Sequence, residues 1–262
     1  MILLLMLGFL MAMGPAQAQP GLPPALRNVG IDQRLNRQIP LDLAFRDESG
    51  RSVQLREYFG KKPVILTLVY YECPMLCTLV LNDLLRNLKE ITLNVGEDFD
   101  VLTVSFDPRE KPALAAAKKQ SYIGRYRRAG AAGGWHFLTG DQASIEALTR
   151  AVGFRYAFDP QTGQFAHASA IMVLTPQGRL ARYFYGVEYS PRDLRLSLVE
   201  ASANRIGTPA DQVLLFCFHY DPTTGKYGLA IMNALRAASL ATVFGLAMLV
   251  WGMSRRSRRA DA

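Results

Sequence analysis

Hydrophobic positions change their period several times along this chain. Residues 64–70 (VILTLVY) form an unbroken apolar, β-branched run, the pattern of a strand buried on both faces. From Pro74 the period lengthens. Leu76, Leu79, Val80, Leu84, Leu88 and Ile91 recur at three- and four-residue steps and predict an amphipathic helix. Residues 99–106 (FDVLTVSF) predict a second buried strand, which completes a β-α-β unit with a right-handed crossover and a parallel strand pair. A helix rich in Ala, Lys and Arg follows at 112–128, then a glycine-rich break at 130–134 and a short strand at 135–138. Asp141 is a good N-cap for a helix that Gly153 ends. Residues 168–174 and 180–185 alternate around Pro176-Gln177-Gly178 as a hairpin. Ser190-Pro191-Arg192-Asp193 supplies an N-cap, a first-turn proline and an acidic first turn for a last helix reaching about residue 204. The order predicts an α/β fold, a mixed central sheet with helices on both sides and no internal repeat.

Both ends are apolar, with different meanings. Residues 1–18 carry no charge and finish on Ala16-Gln17-Ala18, so they read as a signal peptide with its cleavage pattern. Residues 19–40 are punctuated by proline without periodicity and read as a lead-in segment. Residues 237–253 are 17 consecutive uncharged positions followed at once by SRRSRR. Arg236 can snorkel to an interface, so a transmembrane helix is expected over 229–253, after a juxtamembrane stretch at 208–228. The arginines of the tail at 254–262 would lie in the cytoplasm, which puts the domain on the outer side of an inner membrane, facing the periplasm.

Charge adds little to this picture. The net charge is +8, but four of the 30 basic residues are Arg255, Arg256, Arg258 and Arg259. A modestly basic domain requires no nucleic-acid partner. Three cysteines are too few for a disulfide-stapled scaffold, so a hydrophobic core must hold the fold.

The chemistry sits where the first buried strand meets its helix. In Tyr70-Tyr71-Glu72-Cys73-Pro74-Met75-Leu76-Cys77, Pro74 suits the first helical position and the two cysteines are four apart, on one helical face. Unpaired amides at a helix N-terminus favour thiolate over thiol. Two such thiols can form a reversible disulfide or hold a soft metal ion. The spacing exceeds the C-x-x-C of thioredoxin-type oxidoreductases by one residue, and the residues before Cys73 do not match a peroxidatic pattern. His167, just ahead of the C-terminal hairpin, enters beside the helix N-terminus in a sheet of this order and is the candidate third ligand. Two Cys and one His suit Cu(I).

Cys73-x-x-x-Cys77 with His167 90 residues further on, LTVSFDP at 102–108 and FLTGD at 137–141 together resemble the Sco/SenC family over residues 41–204. The resemblance implies a thioredoxin-like domain, here 41–207. It also implies a copper metallochaperone that helps build the CuA centre of cytochrome c oxidase. By that similarity Cys73, Cys77 and His167 are the copper ligands, and the partners are the CuA-bearing oxidase subunit and other copper chaperones or thiol reductants. Such a protein delivers an ion and is not an enzyme in the turnover sense. The alternative is a membrane-tethered thiol–disulfide oxidoreductase with Cys73 attacking and Cys77 resolving. His167 discriminates, since disulfide exchange does not require it. The family's D-P-x-R-D segment is here Asp107-Pro108-Arg109-Glu110-Lys111: Asp107 matches and the following acid is displaced. Asp107 reads equally as a functional residue or a turn cap.

Weaker features remain. Cys217 and His219 read first as part of a hydrophobic strand and second as an accessory copper site near the membrane. Met75, between the cysteines, has a thioether that could touch copper but is expected first to pack. Lys118, Lys119, Arg125, Arg127 and Arg128 are expected on a solvated face, and Trp135 and His136 within a strand.

Overall fold

The apolar run after Pro63 lies at the centre of the molecule, as a strand covered on both faces must. The computed structural model describes residues 28–206 together with 220–221, 226–227, 236, 239–240, 242–248 and 251. The first half of the chain contributes β1 (Gly30–Ile31), β2 (Ala44–Arg46), β3 (Ser52–Gln54), β4 (Val64–Val69), α1 (Leu76–Glu90), β5 (Asp100–Ser105) and α2 (Pro112–Tyr126). The second half contributes α3 (Ala131–Gly134), β6 (Trp135–Leu138), α4 (Gln142–Ala151), β7 (Phe154–Asp159), β8 (Gln164–His167), β9 (Ala170–Leu174), β10 (Leu180–Tyr185) and α5 (Pro191–Ser202). A two-residue pair, β11 (Tyr220–Asp221) and β12 (Lys226–Tyr227), follows.

Five strands form the central sheet in the order β10-β9-β4-β5-β6. β4, β5 and β6 run parallel, whereas β9 is antiparallel to β4, with Ile171 opposite Thr67. Around it α1 packs against α2 and α5, and α4 packs against β7. This is the expected mixed α/β, thioredoxin-like arrangement. A second, antiparallel sheet has the order β1-β7-β8.

Every residue of β4 is buried, and α1 turns Val80, Leu84 and Leu88 inward from its three- and four-residue stripe. A buried polar row crosses the sheet as well. Thr67 Oγ1 lies 3.0 Å from Thr103 Oγ1, which accepts the Trp135 indole N–H at 3.0 Å. The register sets this row, because Thr67 faces Thr103 directly across β4 and β5. The C-terminal end of α1 is capped from outside, where the Arg128 guanidinium donates to the carbonyls of Lys89 and Ile91.

Several boundaries differ from the sequence expectation. α1 begins at Leu76, so Pro74 and Cys73 belong to the turn before it, not to its first turn. The strand expected from 168 starts at Ala170. The hairpin formed by β7 and β8 was unforeseen. Apart from Phe154 its residues are only partly buried or exposed, it carries no long apolar run, and Asp159 and Gly163 close its turn through a Gly163 N–H to Asp159 carbonyl bond. Part of the lead-in segment is built into the domain: Gly30 and Ile31 pair with β7, Gln38 bridges Arg179, and Ile39 is in the core. The signal peptide expected at 1–18 lies outside the described residues. Of the expected membrane helix at 229–253, residues 242–248 are helical. Among the described residues no helix is long and apolar enough to cross a membrane.

Thr103→Val tests the buried polar row. It keeps side-chain shape but leaves the Trp135 N–H without its acceptor, and is expected to cost about 1–3 kcal/mol in urea unfolding.

Candidate metal centre

The turn between β4 and α1 folds its two sulfurs onto backbone amides. Tyr70 N–H donates to Cys77 Sγ at 3.4 Å, and Cys77 N–H donates to Cys73 Sγ at 3.3 Å. Cys73 therefore does at the start of α1 what a serine or aspartate does in an ordinary N-cap: it accepts an otherwise unpaired helix amide. Both cysteines are reduced and buried.

The antiparallel neighbour supplies the third group. β9 starts beside the C-terminal end of β4, so the chain that leads into it passes the cysteine turn. His167, the last residue of β8, lands there, with Nε2 3.3 Å from Cys77 Sγ. Its Nδ1 lies 2.8 Å from the Ala168 carbonyl, which can only accept. The ring proton is thereby assigned to Nδ1, and Nε2 is left with its lone pair facing the sulfurs. Tyr70, Phe106 and Phe154 surround the ring at centroid distances of 5.9, 5.2 and 6.1 Å. The ligand atoms of Cys73, Cys77 and His167 all lie within 4.8 Å of one another. Two soft sulfurs and one imidazole nitrogen, converging and pre-oriented, are a donor set that fits a thiophilic ion such as Cu(I).

The thiols are not equivalent. The Cys77 thiol beside Cys73, with help from the amides of Cys77 and Met75, holds Cys73 well below the usual thiol range against the opposing effect of burial. Burial first, then the Cys73 sulfur, pushes Cys77 up. One thiolate and one thiol share the site.

The SCO1/SenC family model matches residues 32–201. The chain belongs to the SCO1/SenC family. No curated protein matches the sequence. Among solved structures, a candidate electron transfer protein of Aquifex aeolicus VF5 is 27% identical with a TM-score of 0.58, over 65% of this chain and 95% of that one. ScoI of Arabidopsis thaliana, solved with copper bound, is 18% identical with a TM-score of 0.50, over 62% and 96% of the two chains. BsSco, described as a Sco-family cytochrome c oxidase assembly protein with a disulfide switch, is 23% identical with a TM-score of 0.50, over 66% and 97%. The last two share the fold.

Other residues singled out from the SCO1/SenC sequence fall as follows. Asp107 is buried and engaged: it takes the Arg109 N–H at 2.9 Å and a two-pronged ion pair from the same guanidinium, so it caps the turn after β5. Met75 does not pack as expected, since it is 68% exposed at the mouth of the cysteine turn. The basic face of α2 is partly used inside the molecule, with Lys119 paired to Glu48 and Arg125 bonded to Asn82. His136 packs on Tyr58 in β6. Cys217 and His219 lie outside the described residues. Glu110, in the sequence only a displaced acid of the D-P-x-R-D segment, is buried under the cysteine turn. Its carboxylate accepts from Tyr71 N–H at 2.9 Å, Glu72 N–H at 2.8 Å and the Ser105 hydroxyl.

The low Cys73 pKa predicts that metal-free, reduced protein keeps one thiolate at pH 6. A deprotonated group persists above its own pKa, so absorbance at 240 nm should survive acidification through the ordinary thiol range of about 8.5. Cys73→Ser should abolish that signal.

Proposed function

We propose that this SCO1/SenC protein is a copper carrier that binds copper through Cys73, Cys77 and His167 and delivers it to the CuA-bearing subunit of cytochrome c oxidase. One observation carries the reading: two sulfurs and a lone-pair-bearing Nε2 converge within 4.8 Å, with the imidazole fixed through Nδ1. Disulfide exchange does not require an oriented imidazole, whereas a three-ligand copper site does. The copper bound in Arabidopsis ScoI and the oxidase-assembly role given for BsSco agree with it. The copper is cargo. Cys73 offers a ready thiolate, His167 offers a ring nitrogen oriented through the Nδ1 contact with the Ala168 carbonyl, and Tyr70, Phe106 and Phe154 wall the imidazole in place.

We further propose that the domain faces the periplasm and is tethered by a C-terminal helix over 229–253, with its partner met at the membrane. The uncharged run at 237–253 and the arginines behind it support this. So does the exposure of Leu240, Val243, Phe244, Leu246 and Met248 around the helical stretch 242–248, because apolar side chains left outside a core suit lipid.

A second reading has its own observation. A depressed Cys73 thiolate beside a protonated Cys77 is the pairing of an attacking and a resolving cysteine. The two activities share the dithiol, which must be reduced to hold copper.

Competition for Cu(I) against a chromophoric chelator separates the readings. The reduced, detergent-solubilised protein should hold one copper. His167→Ala and Cys73→Ser/Cys77→Ser should weaken it by more than the roughly 10–100-fold that follows loss of a group hydrogen-bonded to a ligand. Copper binding indifferent to His167→Ala, with a readily exchanged Cys73–Cys77 disulfide, would favour the oxidoreductase.

A further inference from the structure

The turn that presents Cys73 has little of its own to hold it. Pro74 has no N–H, Met75 projects into solvent, and Cys73 precedes the regular hydrogen bonding of α1. Its ties include two long contacts, Cys73 N–H to the Tyr70 carbonyl at 3.3 Å and Cys77 N–H to Cys73 Sγ at 3.3 Å. Beneath it stands Glu110, 7% exposed, at the far end of the turn that follows β5. One carboxylate oxygen takes the Tyr71 N–H and the Ser105 hydroxyl, and the other takes the Glu72 N–H. All three partners donate and all are neutral, so the carboxylate fills the place of an acceptor the backbone lacks here. Tyr71 is gripped a second time, because its hydroxyl lies 3.0 Å from the Thr103 carbonyl and 2.8 Å from that of Leu138. Ser105 is fixed in β5 and also accepts the Asp107 N–H at 3.1 Å.

We infer that Glu110 is a positioning residue for the metal centre: its buried carboxylate straps the Tyr71–Glu72 backbone to β5 and thereby sets the Cys73 sulfur opposite Cys77 and His167. This rests on the copper-binding reading and adds to it a residue that touches no ligand atom. The chemistry allows few substitutes. A glutamine offers one oxygen and one NH2, so it must turn a donor against one of the two backbone amides. An aspartate is one methylene shorter and cannot span both.

The test uses the full-length reduced protein and Glu110→Gln, with Cu(I) competition and amide hydrogen exchange on the metal-free chain. Glu110→Gln should lose protection at the Tyr71 and Glu72 amides and bind Cu(I) about 10–100-fold more weakly, the range for groups that orient metal ligands. Its urea midpoint reports fold stability separately. Wild-type Cu(I) affinity in Glu110→Gln would overturn the inference, as would amide protection unchanged from wild type. Should Glu110→Gln fail to fold, Ser105→Ala carries the test: it removes only the hydroxyl donor and should shift both readouts in the same direction by less, with wild-type values in both counting against the strap. If wild-type protein itself holds no Cu(I), the copper reading fails, and amide exchange alone still decides whether Glu110 fastens the turn.

Discussion

The antiparallel pairing of β9 with β4, beside the parallel strands β4, β5 and β6, is the constraint on which the candidate metal centre depends. In a parallel sheet the C-terminal ends of strands lie together, and the loops there gather functional groups. The cysteine turn leaves β4 at that end, and the Asp107–Glu110 turn leaves β5 at the same end. A strand entering antiparallel must begin there, so the residues ahead of β9 are delivered to the sulfurs. A parallel β9 would start at the other end of β4, a sheet's height away from the cysteines. One reversal of strand direction therefore brings together two candidate ligands 90 residues apart.

How much of this was legible in the sequence follows the same physics. The strands of the central sheet and the helices between them announce themselves through long apolar runs and clean periods, because they are buried on one or both faces. Cys73, Cys77 and His167 were recoverable because their spacing and chemistry point to each other once β9 is placed beside β4. The β7–β8 hairpin left a faint trace, since it is short and half exposed and borrows its third strand, β1, from a segment with no strand signal. Glu110 is a different case. An acidic residue after a buried strand ordinarily caps a turn or faces water, and nothing local says that its partners are amides nearly 40 residues earlier. Asp107, the residue with the better motif match, proves to be the turn cap.

The two acids divide the work by their partners. Asp107 meets the Arg109 guanidinium, whose carbon also lies 5.1 Å from the Phe158 ring centre and 5.4 Å from that of Phe165, so this pair ties the β5 turn to the β7–β8 hairpin. Glu110 reaches the opposite way, to the cysteine turn. The two sides of the candidate metal centre, the dithiol and the histidine hairpin, are thus fastened to one five-residue segment, Asp107 to Lys111.

The fixed tautomer of His167 has a consequence for the charge of the buried site. With Nδ1 committed to the Ala168 carbonyl, Nε2 is the ring atom turned to the sulfurs, where Cys73 is held as the thiolate and Cys77 as the thiol. A monovalent ion taken up by both sulfurs displaces the thiol proton, so one positive charge enters as another leaves. For the carrier proposed above, loading and unloading would then be an ion exchange at constant charge. The low-dielectric pocket is spared the cost of holding an extra charge in either state.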